Sequence, residues 1–201
     1  MTGGRNTRGG AGRPKGGGGR PGQVRIIAGE WRGRRLKLAE GDRARPTPDR
    51  VRETLFNWLM PVIGGARCLD LFAGSGVLGI EALSRGARSA VLVDKDATVL
   101  DALDENLEQL DTGAAELVEA DAWQYLKGDA QAFDIVFLDP PYAQKGLGEL
   151  CTLLGRGWLA PGARIYLEWR RSGARPVLPE DWQLLREKMA GQVQYALARW
   201  K

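Results

Sequence analysis

Asp139-Pro140-Pro141-Tyr142 is the stretch whose residue types most directly suggest a reaction. It follows the apolar run Ile135-Val136-Phe137-Leu138, which places a carboxylate at the end of a buried strand. Two prolines lock φ and remove two backbone donors, leaving carbonyls that only accept. The exocyclic amine of a nucleobase is planar and a poor nucleophile, because its lone pair is delocalised into the ring. Hydrogen bonds from such an amine to the Asp139 carboxylate and the Pro140 carbonyl favour a pyramidal nitrogen, whose lone pair then faces a methyl donor. Tyr142 can stack on a base swung out of its helix. Catalysis of this kind is positioning and electrostatics, with no covalent enzyme intermediate. A rigid strand-to-loop turn would use the same residues, so the motif gains meaning from its company.

That company begins at Cys68-Leu69-Asp70-Leu71, continues through a glycine-rich turn and runs on with helical periodicity to Leu83. Gly74-Ser75-Gly76-Val77-Leu78-Gly79 has the G-x-G-x-x-G spacing of a nucleotide-binding turn and would also suit a dinucleotide enzyme. Asp70, just before the turn, decides against a pyrophosphate, which gains nothing from a nearby carboxylate. S-adenosylmethionine carries an ammonium and a sulfonium instead, and Coulomb attraction to an acid favours it. The candidate cofactor loop is Asp70 with Phe72, Ala73, Gly74, Ser75 and Gly76. Asp94, followed by Lys95, closes the next strand where an acid accepts from ribose hydroxyls. Asp121 follows a third strand and can take the adenine amino group, with Ala122 and Trp123 beside the ring. Helix capping is the competing use for Asp94, Asp96 and Asp121.

The elements that position these residues alternate regularly. Strands are expected at about 67–71, 89–94, 115–119, 134–139 and 163–169, and helices at about 76–85, 97–110, 121–127 and 146–154. Val99, Leu100, Leu103, Leu107 and Leu110 share one face of the second of these helices, with Asp96 placed to cap it. Gly86 and Gly155 stand where helix C-caps belong. This alternation means right-handed βαβ units and a parallel sheet. Trp182–Lys188 and Val193–Trp200 read as an antiparallel pair closing one sheet edge, around a 189–192 turn. An earlier helix should begin at Thr47-Pro48-Asp49, with Thr47 as cap and Pro48 in the first turn, and end by Pro61. Its apolar face is Val51, Leu55 and Leu59, and Arg50 and Arg52 are polar positions facing ligand or water.

Composition removes several chemistries. The 201 residues include no histidine, which excludes Ser-His-Asp catalysis, histidine bases and histidine-ligated zinc. Two cysteines in apparent core segments make a poor metal site and no disulfide scaffold, so no metal is expected and a reducing, cytoplasmic location fits. No stretch approaches the roughly 20 apolar residues of a membrane helix. The basic N-terminus has no apolar core and is not a secretory signal.

Charge is divided. Residues 1–60 carry 14 Lys/Arg against 5 Asp/Glu, and residues 61–201 carry 15 against 20, so a polyanion is expected at one end. Residues 1–22, rich in Gly and Arg, have almost nothing to bury and are expected to be a disordered tail. A single domain is expected over 23–201, with 23–60 its basic segment. Val24-Arg25-Ile26-Ile27-Ala28-Gly29 starts a strand or hairpin, and Trp31-Arg32-Gly33-Arg34-Arg35 follows. Arg25, Arg32, Arg34, Arg35, Arg45 and Arg50 are the candidate nucleic-acid contacts. A solvated surface hairpin would carry the same residues.

The order of the D-L-F-A-G-S-G loop, an acid ending the next strand and D-P-P-Y is similar to amino-methylating, S-adenosylmethionine-dependent class I methyltransferases. Arg25-Ile26-Ile27-Ala28-Gly29-Glu30-Trp31-Arg32-Gly33-Arg34 and the block from Arg45-Pro46-Thr47-Pro48 to Leu59 resemble the bacterial 16S rRNA guanine-N2 methyltransferase family over about Val24–Lys201. The resemblance implies an α/β Rossmann-like fold: a mostly parallel seven-stranded sheet, a C-terminal antiparallel hairpin and helices on both faces. It also implies S-adenosylmethionine as donor and small-subunit rRNA as substrate, with the protein expected to act as a monomer. The Gly/Arg tail departs from the usual short family N-terminus. D-P-P-Y alone does not separate guanine N2 from adenine N6. An adenine-N6 DNA methyltransferase is the nearest rival, although no separate target-recognition domain is evident. An NAD(P) oxidoreductase leaves Asp70 and D-P-P-Y unexplained, and a non-enzymatic RNA-binding assembly factor makes both motifs accidents.

Overall fold

Apolar strands alternating with amphipathic helices bury both faces of a parallel sheet, and the computed structural model of this chain shows that arrangement over the residues it describes, 22–39, 46–141 and 146–201. Arg45, Tyr142 and the tail through residue 21 lie outside the described residues.

The core sheet contains β3 (Arg67–Asp70), β4 (Ser89–Asp94), β5 (Ala115–Glu119), β6 (Phe133–Leu138), β7 (Leu159–Arg170), β8 (Trp182–Ala190) and β9 (Val193–Trp200). Its order is β5-β4-β3-β6-β7-β9-β8. The first five pair in parallel, while β9 is antiparallel to both β7 and β8. The chain therefore builds outward from β3 in one direction and then returns to lay β6 on the other side. That reversal opens a crevice at the carboxyl ends of β3 and β6, where open α/β sheets bind ligands.

The helices are α1 (Asp49–Leu59), α2 (Val77–Ser84), α3 (Ala97–Leu110), α4 (Ala122–Tyr125) and α5 (Leu147–Leu154). Because strand residues alternate between faces, Cys68, Leu92, Ile135, Phe137 and Tyr166 pack with α1, α2 and α3, whereas Leu69, Val93, Val136, Leu138 and Leu167 pack with α4 and α5. Both faces are covered, as a mostly parallel sheet requires.

Three expectations need correction. The C-terminal pair does close the sheet, but β9 lies inside it and β8 forms the edge; the turn is just Gly191-Gln192, because pairing extends to Ala190. Thr47 does not cap α1: Pro48 occupies that position with no side-chain cap, and the Thr47 hydroxyl is used elsewhere. Arg52 faces neither ligand nor water. It is fully buried and paired with Glu81 and Asp49. Elsewhere Asp96 caps α3 by accepting from the Thr98 amide, Gly86 follows α2 in the left-handed region, and Gly155 ends α5 with right-handed φ.

A two-stranded ribbon, β1 (Gln23–Arg25) with β2 (Arg35–Lys37), precedes all this. The segment between its strands straps onto α2. Glu81 accepts the Ile27 and Ala28 amides at 2.8 and 3.0 Å, and Ser84 accepts the Trp31 amide at 3.0 Å. Gly29 lies so close to α2 that a Cβ would stand 1.8 Å from the Ser84 carbonyl oxygen. The same Glu81 carboxylate holds Arg52 and Arg85, so a buried charge cluster ties strap, α1 and α2 together.

Candidate active site

The crevice at the end of β3 is lined by acids because of strand register. Asp70 pairs with Leu92 on one side and Phe137 on the other, and Phe137 pairs with Tyr166. Counting two residues on along β4, β6 and β7 puts Asp94, Asp139 and Glu168 on the same face as Asp70. Four carboxyl groups thus stand in a row across four adjacent strand ends, all toward α1–α3.

Each is held differently. Asp70 is buried and accepts the Phe72 amide at 3.3 Å. Burial pushes its carboxyl up to about 7, and the neighbouring Asp139 and Asp94 add to the rise. Asp139 accepts the Thr47 hydroxyl at 3.0 Å; burial lifts it to about 6, against the lowering by that hydroxyl and by the neighbouring Glu168. Asp94 accepts the Gly74 amide at 2.9 Å on one oxygen and the Asp96 amide at 3.0 Å on the other. Gly74 and Gly76 take φ of 47° and 69°, the left-handed region that glycine enters without strain, and so turn the chain from β3 into α2. Phe72, Ala73 and Ser75 complete that loop, and the Ser75 hydroxyl receives the Val77 amide at 3.4 Å. Lys95 is exposed beside Asp94.

Beyond β5, Asp121 caps α4, accepting the Trp123 and Gln124 amides on one oxygen. Ala122 is buried, while half-buried Trp123 meets Phe72 edge-on with ring centres 6.1 Å apart. Pro140 and Pro141 continue from β6, half-buried and exposed respectively. The structure therefore gathers Asp70, the glycine loop, Asp94 and Asp139 at one end of the sheet.

The predicted RNA-facing arginines divide into two groups. Arg25 is paired with Asp49 at 3.2 Å, and Arg34 donates to the Gln109 carbonyl at the end of α3. The side chains of Arg32, Arg35 and Arg50 are exposed, with no hydrogen bond or ion pair among the described residues. Arg25 and Arg35 are register partners, so they and Lys37 share the outer face of the ribbon while Val24 and Leu36 point inward.

The chain is similar to known proteins over most of its length. The family model described as "Conserved hypothetical protein 95" matches residues 24–199. Ribosomal RNA small subunit methyltransferase D of Escherichia coli is 50% identical over 177 residues, covering 88% of this chain and 89% of that protein. The chain belongs to this methyltransferase D family. The protein of the same name from Haemophilus influenzae is 46% identical, covering 88% of this chain and 93% of its own length. Among solved structures, E. coli yhhF superposes with a TM-score of 0.83 at 48% identity, covering 90% of this chain and 99% of that one.

As a member of the methyltransferase D family, the chain is an enzyme with S-adenosylmethionine as its methyl donor. The residues fit that donor. Buried Asp70 with Asp94 and Asp139 beside it favours a ligand bearing an ammonium and a sulfonium, whereas a pyrophosphate would be repelled. Among the described residues no cluster of His, Cys, Asp or Glu is arranged to hold a metal ion, and no helix is long and apolar enough to cross a membrane.

Sequence reasoning missed three parts of this methyltransferase site: Glu168, the Thr47 tie to Asp139, and the Arg52–Glu81 pair behind it. Glu168 carried a signal, being the one acid in the apolar run Ile165-Tyr166-Leu167-Glu168-Trp169, at a strand end. Arg52 carried another, since it sits three and four residues from Leu55 and Phe56 on the helix face that is buried.

Proposed function

We propose that this enzyme transfers the methyl group of S-adenosylmethionine to the exocyclic N2 amine of a guanine in small-subunit ribosomal RNA. The observation that carries the reading is the acid row, in which Asp139 stands beside Asp70 across the point where strand order reverses. The donor, when bound, presents an electrophilic methyl on a sulfonium that departs as a neutral thioether with the electron pair of the broken bond. Asp70 attracts the cationic end of the donor, and Asp94 accepts from its ribose hydroxyls while also latching the Gly74 turn. Asp121, Ala122 and Trp123 flank the adenine.

Asp139 and the Pro140 carbonyl accept the two N–H groups of the target amine, and Asp139 is the near acceptor for the proton that the amine sheds. Tyr142 stacks on the flipped guanine. The ribbon's outward Arg35, with Arg32, Arg45 and Arg50, holds rRNA phosphates; Arg25 and Arg34 divide their charge between the RNA and their partners within the protein. The enzyme acts as a monomer in the cytoplasm on an assembling small-subunit particle. Labelled donor incubated with small-subunit particles, followed by nucleoside mass spectrometry, should yield N2-methylguanosine. N6-methyladenosine as product would refute the guanine assignment.

A further inference from the structure

Glu168 has no task in the reaction just described, yet it is buried at 3% exposure directly beside Asp139. The register of β6 and β7, Phe137 with Tyr166 and Leu138 with Leu167, brings Asp139 and Glu168 next to each other on one face. The contact between the two carboxyls lowers the proton affinity of Asp139. Tyr166 donates its hydroxyl to Glu168 Oε2 at 2.7 Å, and Thr47 donates to Asp139 Oδ2 at 3.0 Å. Ionised carboxylates only accept, so two carboxyls placed side by side bond to each other only through a proton. The tyrosine and threonine hydroxyls each have one proton, and both are directed elsewhere. Two adjacent buried carboxylates also resist ionising together.

We propose that Glu168 is a protonated positioning residue, whose carboxyl proton is donated to Asp139 and keeps that carboxylate ionised and turned toward the target amine. The inference rests on the methyl-transfer reading above. Asp139 then meets the amine already charged, with its rotamer fixed from two sides by Thr47 and Glu168. The pair carries one negative charge, which is what a nitrogen gaining one positive charge needs opposite it. Other groups face the pair from each packed element: Asp70 on β3 and Asp94 on β4, Tyr166 on β7, Tyr195 on β9 in register with Glu168, and Arg170 further along β7. Before α1 the Thr47 backbone is held by Arg52, which donates to the Thr47 carbonyl at 3.1 Å.

The test pairs spectroscopy with kinetics on the full chain. Protein labelled with 13C at glutamate side-chain carboxyls should show a protonated-carboxyl infrared band at pH 8, and Glu168→Gln should lack it. Glutamine still donates a hydrogen bond to Asp139, so E168Q should keep a single-turnover rate close to wild type. It should also lose the alkaline fall in rate that comes from ionising Glu168. Glu168→Ala removes the donor and should slow turnover roughly 10- to 100-fold, the rate equivalent of a lost hydrogen bond to an ionised group. Donor affinity by calorimetry should stay unchanged in both. Absence of the band from wild type overturns the proposal, as does equal slowing of E168Q and E168A. A wild-type product other than N2-methylguanosine refutes the substrate reading instead, and the labelled band is indifferent to it.

Discussion

An aspartate buried among other acids holds its proton harder than one in water, and that has consequences for ligand and stability together. Asp70 is raised to about 7 and Asp139 to about 6, mainly by burial. The folded chain therefore binds more protons than the unfolded chain between about pH 4 and 7. Without ligand, stability should fall as pH rises through that window; urea melts at pH 5 and 8 measure the difference. A cationic donor prefers ionised Asp70, so its affinity should rise as pH climbs toward about 7, with proton release on binding near that pH. Calorimetry in two buffers of different ionisation enthalpy reads that release. Asp139→Asn keeps size and an acceptor but loses charge. It should leave fold and donor binding intact while kcat falls by about 10²–10³, the scale for a preorganised electrostatic partner. Asp94→Ala should weaken donor binding by roughly 1–3 kcal/mol by calorimetry, and part of that loss comes through the freed Gly74 turn. The sequence revealed Asp70, Asp94 and Asp139 because each ends an apolar run. Glu168 also interrupts an apolar run, but its place beside Asp139 comes only from register, which pairs residues 29 apart.

At the scale of elements, periodicity was enough for α2 to α5 and for every parallel strand, because a sheet covered on both faces demands continuous apolar runs. It failed where a charged residue is used inside. Arg52 and Glu81 sit at core positions, and their local charge reads as surface although strap and helices enclose them. Glu81 receives two backbone amides and two arginines. Replacing it by alanine strands a buried guanidinium and frees the strap, and should cost about 3–5 kcal/mol in urea unfolding. Because Arg52 also grips the Thr47 carbonyl, E81A should lower kcat as well, without any contact to substrate. The Arg-Ile-Ile-Ala-Gly block thus has a job in the fold. Its glycine is there for close approach, since Gly29 abuts the α2 backbone.

For the whole molecule, the division between a basic first third and an acidic remainder becomes spatial. Arginines lie on the outer ribbon and carboxyls at the strand ends. Arg32→Gln with Arg35→Gln should flatten the dependence of log rRNA affinity on log salt by about 0.7–0.9 per lost phosphate contact and spare donor binding. An unchanged slope in filter binding at several salt concentrations would reduce these side chains to a solvated surface. One further property follows from the position of β9, which lies between β7 and β8 although it is made after both. During synthesis the long edge of β7 has no neighbour until residues 193–200 have emerged from the ribosome. Until then the chain presents an open strand edge of the kind that templates association. Released chains ending at Ala190 should accordingly be protease-sensitive and prone to cluster, and chains extended through Trp200 should lose both properties together. An enzyme of ribosomal RNA would then carry an unpaired sheet edge through its own synthesis until β9 is inserted.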